Sequence, residues 1–158
     1  MSKRNIIILG SSIFLIIFIV SLVIFITGND DIQHRVLFFP NDNREGLVGE
    51  RRKIKASGNK QKDVEILVKE LLLGPSSMEN NRFIPKGTKA RTVILRDDIL
   101  YLDFSTDILK IDETMPMSLQ NVFNAIEKTI VFNFKYVNRI SFTVDGEIPE
   151  FKSFSDTE

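Results

Sequence analysis

Cysteine is missing from all 158 residues. That absence excludes disulfides, thiolate metal sites, a cysteine nucleophile and a lipidated cysteine behind an apolar leader. Histidine is scarce as well: the single His34 has no second histidine or cysteine with which to share a metal, so a solvated linker position is the expected role. Neither sign of charge dominates, since 21 basic residues balance 21 acidic ones. Such a chain has no field that would steer it toward nucleic acid, and no nucleic-acid partner is expected.

What is abundant is one continuous apolar run. Residues 6–27 (IIILGSSIFLIIFIVSLVIFIT) carry no charge, and as a helix they would span roughly 33 Å, against a hydrocarbon core of about 30 Å. A secretory signal peptide has a shorter apolar stretch, followed by a small-residue cleavage site. Here Gly28, Asn29, Asp30 and Asp31 follow, so the run is predicted to be an uncleaved transmembrane helix. Lys3 and Arg4 before it are matched in number by Arg35 and Arg44 after it, but the first pair abuts the helix while Asp30 and Asp31 flank the other end. This places the N-terminus in the cytoplasm and the remainder on the periplasmic or cell-envelope side of the cytoplasmic membrane. Gly10, Ser11 and Ser12 cluster without a small-x-x-x-small repeat, so self-association through the helix is not strongly encoded.

Residues 1–5 are then a cytoplasmic tail, 28–34 a linker reaching about 25 Å at most, 35–149 a folded domain and 150–158 a polar tail. Lys3 and Arg4 are the only charges in the first 28 residues, so the 130 that follow have a net charge of −2. That length suits one domain with a core of its own.

Within it, residues 35–39 (RVLFF) read as a strand ended by Pro40, and residues 47–55 as a less apolar return strand at an edge. Residues 56–62 read as a polar loop. From Asp63 the period changes: Val64, Leu67, Val68, Leu71 and Leu72 mark an amphipathic helix, with Asp63 at its free amides and Gly74–Pro75 as its stop. Phe83, Ile84 and Pro85 are expected to pin the long loop 76–88 to the core. Residues 89–96 and 99–104 flank Asp97 and Asp98 as a two-residue hairpin, with Leu100, Leu102 and Phe104 on the core face. A second helix is predicted over 117–132 and a last strand over 137–144, with Ile140, Phe142 and Val144 inward. The expected fold class is α+β, a two-layer sandwich of one mainly antiparallel sheet and two helices in the order β-β-α-β-β-α-β, preceded by the transmembrane helix.

Five motifs punctuate these elements: LFFP at 37–40, ELLLGPS at 70–76, IPKGTK at 84–89, YLDFS at 101–105 and FTVDGE at 142–147. In that order and spacing the chain resembles the GerMN domain, named for proteins of bacterial sporulation and spore germination, over residues 35–149. The resemblance implies an exported, membrane-tethered, non-catalytic module, akin to the ring-building domains of secretion and sporulation complexes. Such a module acts through protein contacts in the cell envelope. This chain holds one copy, with an apolar helix in place of a lipidated cysteine. The motif positions Phe39, Pro40, Gly74, Pro75, Pro85, Gly87, Asp103, Phe104, Ser105, Asp145 and Gly146 are read mainly as fold residues, and the family supplies no catalytic or cofactor-binding residues.

Four further places carry residue types that catalysis or ligand binding could use. Ser57 and Lys60 fit the S-x-x-K spacing of penicillin-binding acyl enzymes, but the companion motifs are missing, Lys86-Gly87-Thr88 not being Lys-Thr-Gly. Asp103, Ser105 and Asp107 alternate like calcium ligands, without the glycine and the closing glutamate such a loop needs, so turn chemistry is favoured; for Asp103 and Ser105, capping the segment that follows is favoured over contact with a partner. Asp97 and Asp98, adjacent in a hairpin turn, would point apart rather than work as an acid-base pair. Arg51, Arg52, Lys53, Lys55, Lys60 and Lys62 form a basic cluster that could meet anionic headgroups or an envelope polymer, or keep a strand edge solvated, the favoured reading. No catalytic, cofactor or metal residue is therefore assigned. The expected partners are other membrane or envelope proteins, with self-association, an anionic polymer such as peptidoglycan, or lipid headgroups as alternatives.

Overall fold

The computed structural model describes residues 3–27, 31–41, 44–111 and 117–149; the tail at 150–158, with Phe151 and Phe154, lies outside them. Two compact units divide the chain, Met1–Asp31 and Ile32–Glu158. The first contains helix α1 (Lys3–Thr27). Large apolar side chains from Leu9 to Val23 are exposed, Phe14 at 73% and Ile17 at 61% among them. Among the described residues no helix is long and apolar enough to cross a membrane.

The second unit runs β1 (Ile32–Asn41), β2 (Arg44–Lys55), α2 (Lys60–Leu73), β3 (Ala90–Arg96), β4 (Ile99–Phe104), a 3-10 turn (Thr106–Leu109), α3 (Leu119–Asn133) and β5 (Arg139–Val144). The fold is α+β, but its strands form two sheets rather than one mainly antiparallel sheet. β1 and β2 pair antiparallel, while the other sheet has the order β3-β4-β5 with β4 and β5 parallel. The parallel pair follows from the connection: β4 reaches β5 through the 3-10 turn and α3, and parallel neighbours need a crossover of a dozen or more residues. β1 begins at Ile32, so His34, expected in a linker, is an exposed strand residue paired with Lys53.

Helix α2 starts three residues before the periodicity suggested. Asn59 is its N-cap, its side chain accepting from the Lys62 N–H, and Asp63 instead reaches back to accept from the Ser57 N–H (2.6 Å) and hydroxyl (2.7 Å). Ser118 caps α3 by accepting from Asn121. The apolar stripes then meet in one core: Val64, Leu67, Val68 and Leu71 from α2, Val122, Phe123, Ile126 and Ile130 from α3, and Leu37, Phe39, Leu100, Leu102 and Phe104 from the strands. Phe83 and Ile84 are buried there, as expected. Val144 is buried, while Ile140 and Phe142 are partly buried against the same core.

Side chains of α3 close the outer edge of β1. The Val36 N–H donates to Asn133 Oδ1 (3.0 Å) and its carbonyl accepts from Asn133 Nδ2 (2.6 Å). The Phe38 N–H donates to Thr129 Oγ1 (3.2 Å), whose hydroxyl donates to the Ala125 carbonyl (2.9 Å). Thr129 is fully buried. Replacing it with valine keeps the shape and leaves the Phe38 N–H without its acceptor, so Thr129→Val in the full chain should cost about 1–3 kcal/mol of unfolding free energy by urea denaturation in detergent. An unchanged midpoint would show that this edge is not held by the hydroxyl.

Candidate functional site

The basic cluster centres on β2, where alternation divides it. Arg51, Lys53 and Lys55 are exposed, sharing a face with their β1 partners Val36, His34 and Ile32. Arg52 points the other way and is spoken for, its side chain only 12% exposed. It donates to Glu50 Oε1 from Nε (2.8 Å) and from Nη2 (2.7 Å). It also donates to the Glu70 carbonyl (3.1 Å) and carboxylate (3.3 Å) and to the Gly74 carbonyl (2.5 Å). Arg52 is therefore withdrawn from the anion-contacting set: it ties β2 to the end of α2.

That end needs outside help. The last turn of α2 has no basic residue, although its free carbonyls and negative dipole end favour one. Arg52 supplies the charge from one side, and Arg82 from the other by donating to the carbonyls of Leu72 (2.9 Å) and Leu73. Gly74 has φ +87°, and a Cβ there would lie 2.5 Å from Arg82 Nη2, so this position excludes side chains on two counts.

Glu50 completes the clamp. Its carboxylate accepts from the Ser76 N–H (3.0 and 3.1 Å), the Ser77 N–H (3.1 Å) and Asn80 Nδ2 (3.1 Å). Burial pushes this carboxyl up, but the bonds from Arg52, Ser76, Ser77 and Asn80 outweigh it and hold it down at about 2. Glu50 was not singled out in the sequence. Alternation along β2 sets Glu50, Arg52 and Ile54 on one face, but no local pattern shows that this face meets the end of α2.

Beside β2 lies an open groove of about 490 Å³ lined by Lys53, Ile54 and Lys55 from the strand and by Lys62, Ile66 and Glu70 from α2. Lys62, Ile66 and Glu70 recur every fourth residue and so share one helix face. The groove thus joins Lys53, Lys55 and Lys62 of the predicted cluster. Arg51 is exposed but is not among its lining residues, and the Lys60 ammonium sits 5.0 Å from the Tyr136 ring centroid.

The other sites considered have structural partners. The Ser57 hydroxyl donates to Asp63, not Lys60. Asp103 Oδ1 accepts from the Thr143 hydroxyl (2.7 Å) and the Gly146 N–H (2.8 Å), so it secures the turn after β5 rather than capping the segment after β4. The Ser105 hydroxyl makes no cap bond; it accepts from the Lys89 N–H and donates to Asp107. Lys110 and Ser105 hold the Asp107 carboxyl below its ordinary value. Asp98 accepts from Asn138 Nδ2 (3.0 Å), which lowers its carboxyl too, and Asp97 takes φ +56° in the hairpin turn. Among the described residues no acidic or histidine cluster could hold a metal.

The remaining motif positions are also engaged in the fold. Phe39 packs edge-on to Phe83 at 5.8 Å, and Phe104 lies 6.3 Å from Phe123 and 6.5 Å from Phe142. The Pro40 carbonyl accepts from the Asn81 N–H, and the Pro85 carbonyl from the Thr88 N–H. Pro75 follows the helix stop. Gly87 and Gly146 have positive φ, as does Asp145, whose N–H donates to the Phe104 carbonyl.

The family described as "Germane: Sporulation and spore germination" matches residues 36–150. The chain belongs to this family. The chain also resembles an "Uncharacterized lipoprotein" of Treponema pallidum (strain Nichols), 30% identical over 83 residues that make up 52% of this chain and 61% of that protein. Two solved structures share the fold. The first GerMN domain of the sporulation protein GerM from Bacillus subtilis has a TM-score of 0.54 at 16% identity, over 74% of this chain and 86% of that one. The tandem GerMN domains of the same protein give 0.56 at 21% identity, over 75% of this chain and 42% of that one. The Germane chain here therefore has the GerMN type of fold.

The Glu50 clamp sets a pH dependence. A carboxyl lowered from 4.5 to about 2 stabilises the fold fully above about pH 4.5, and that contribution is lost as pH falls toward 2. The amount is on the order of 3 kcal/mol. Thermal unfolding of the full chain between pH 2 and 6 should fall more steeply for the wild type than for Glu50→Gln; equal slopes would remove Glu50 from this role.

Proposed function

We propose that this Germane protein is anchored by α1 as a single-pass protein of the cytoplasmic membrane, and that its domain is a non-catalytic interaction module in the cell envelope. The anchor rests on one observation: the side chains of residues 9–23 are exposed, with large apolar ones repeated through the stretch. A helix apolar all round needs an apolar surround, which a bilayer provides. The treponemal relative is named as a lipoprotein, and a lipid chain and an apolar helix are alternative solutions to the same placement. The charge placement at Lys3 and Arg4 against Asp30 and Asp31 orients the domain outward.

A non-catalytic role is supported by the employment of the motif residues. Phe39, Phe104, Gly74, Asp103 and Gly146 build turns and core, and among the described residues no nucleophile, base and orienting group converge. What is left over on the surface is a recognition surface, consistent with a module that helps assemble or organise an envelope protein complex. The exposure of Arg51, Lys53, Lys55 and Lys62 favours a second reading, binding to peptidoglycan, anionic headgroups or another envelope polymer.

Three measurements test this. Alkaline phosphatase fused after Glu158 should be active, because that enzyme works only when exported; an inactive fusion of full length would reverse the orientation. Crosslinking of the intact protein in its native membrane should recover envelope proteins. Recovery of an isolated monomer alone, together with sedimentation of the nanodisc-embedded chain with purified cell wall, would shift the assignment to polymer binding.

A further inference from the structure

One edge of the β1–β2 sheet is closed and, among the described residues, the other is open. In an antiparallel ladder the N–H and C=O of a residue point the same way, and the direction alternates along the strand. Val36 and Phe38 direct these groups to α3, so Arg35, Leu37 and Phe39 direct theirs to β2, opposite Arg52, Glu50 and Val48. It follows that Gly49, Arg51 and Lys53 aim their main-chain groups away from β1. The sheet ends at β2, and among the described residues no main-chain bond from another element reaches Gly49, Arg51 or Lys53. The groove of Lys53, Ile54, Lys55, Lys62, Ile66 and Glu70 adjoins that edge.

An open edge is a template for another strand, and the side chains along it decide which strand. A second copy of β2 would bring Arg51, Lys53 and Lys55 against cations of its own kind, and like charges directly opposite are destabilising. Lys53 and Lys62 outnumber Glu70, whose carboxylate shares the single charge of Arg52 with Glu50. The charge of the groove is therefore positive. Its other face is apolar: Ile54 belongs to the core and Ile66 packs against it. A strand lying along this edge would present alternate residues to the two faces, one set to Arg51 and Lys53 and the other to Ile54 and Ile66.

We propose that the free edge of β2 and the groove beside it bind an extended, acidic polypeptide segment with alternating carboxylate and β-branched apolar side chains, as an added strand. This rests on the interaction-module reading and names the surface and the chemistry of the partner. An anionic lipid surface shares only the charge, and makes no use of the main-chain groups of Gly49, Arg51 and Lys53.

The test uses the full chain in phosphatidylcholine nanodiscs and a labelled Glu-Val-Glu-Val-Glu-Val peptide read by fluorescence anisotropy. Saturable binding is expected. Of two peptide isomers N-methylated on alternate amides, one should bind at least about tenfold more weakly, having lost the bonds to β2. K53E/K55E should weaken binding by a similar factor, and a Lys-Val-Lys-Val-Lys-Val peptide should recover it, which a merely misfolded variant could not do. Equal binding by both methylated isomers would overturn the proposal, as would absent peptide binding alongside attachment to phosphatidylglycerol vesicles that K53E/K55E abolishes. If K53E/K55E leaves every crosslink made in cells intact, this surface is wrong while the interaction reading stands; if the wild type yields no crosslinks, that reading fails first.

Discussion

The Glu50–Arg52 clamp is the interaction on which the arrangement around β2 depends. Two adjacent positions on one strand face divide the work. Arg52 gives its guanidinium to the carbonyls of Glu70 and Gly74, and Glu50 gives its carboxylate to the amides of Ser76 and Ser77. Between them they satisfy polar groups left over where a helix stops and a loop begins. Gly74 permits the turn, and Arg82 covers what Arg52 does not reach. With α2 held at this end, its Lys62–Ile66–Glu70 face lies beside the strand as one wall of a groove. The clamp is thus structural, and its consequence is a shaped, charged surface.

The remaining strand edges show how differently the same problem is solved within one domain. β1 is closed by side chains: Asn133 accepts and donates at Val36 like a neighbouring strand, and Thr129 takes the next amide. β4 is flanked by β3 and β5, and Asp103 reaches across the parallel pair to Thr143 and the Gly146 amide. β2 has cations along its edge instead. Lysine on an edge discourages indiscriminate pairing, and it leaves pairing with a complementary strand available. Membership of the Germane family, with a fold of the GerMN type, sets this surface in a domain whose motif residues are otherwise spent on folding.

Much of this was legible from residue patterns. The helical stripe of Val64, Leu67, Val68 and Leu71, the alternation of Leu100, Leu102 and Phe104, the Asp97–Asp98 turn and the Gly74 stop are local signals, and each appears where its period or turn chemistry placed it. The basic cluster was visible as well, but not its division, because only the strand register shows that Arg52 faces inward while Lys53 and Lys55 face out. Three features were hidden for a common reason. The parallel pairing of β4 and β5, the separation of β1–β2 from β3–β4–β5, and the Glu50 clamp all join residues distant in sequence, and no local pattern encodes them. The start of α2 was misplaced for a different reason: Lys60, Gln61 and Lys62 make its first turn without an apolar residue, so hydrophobic periodicity begins only after the helix has.

Residue-resolved amide hydrogen exchange across β2, in the full chain, tests the account most directly. The amides of Glu50, Arg52 and Ile54, bonded to β1, should be strongly protected, while those of Arg51 and Lys53 should exchange near the rate of an unstructured peptide. Uniform protection along the strand would mean that the edge is already covered, and would contradict an open, clamped β2 as the recognition element of this domain.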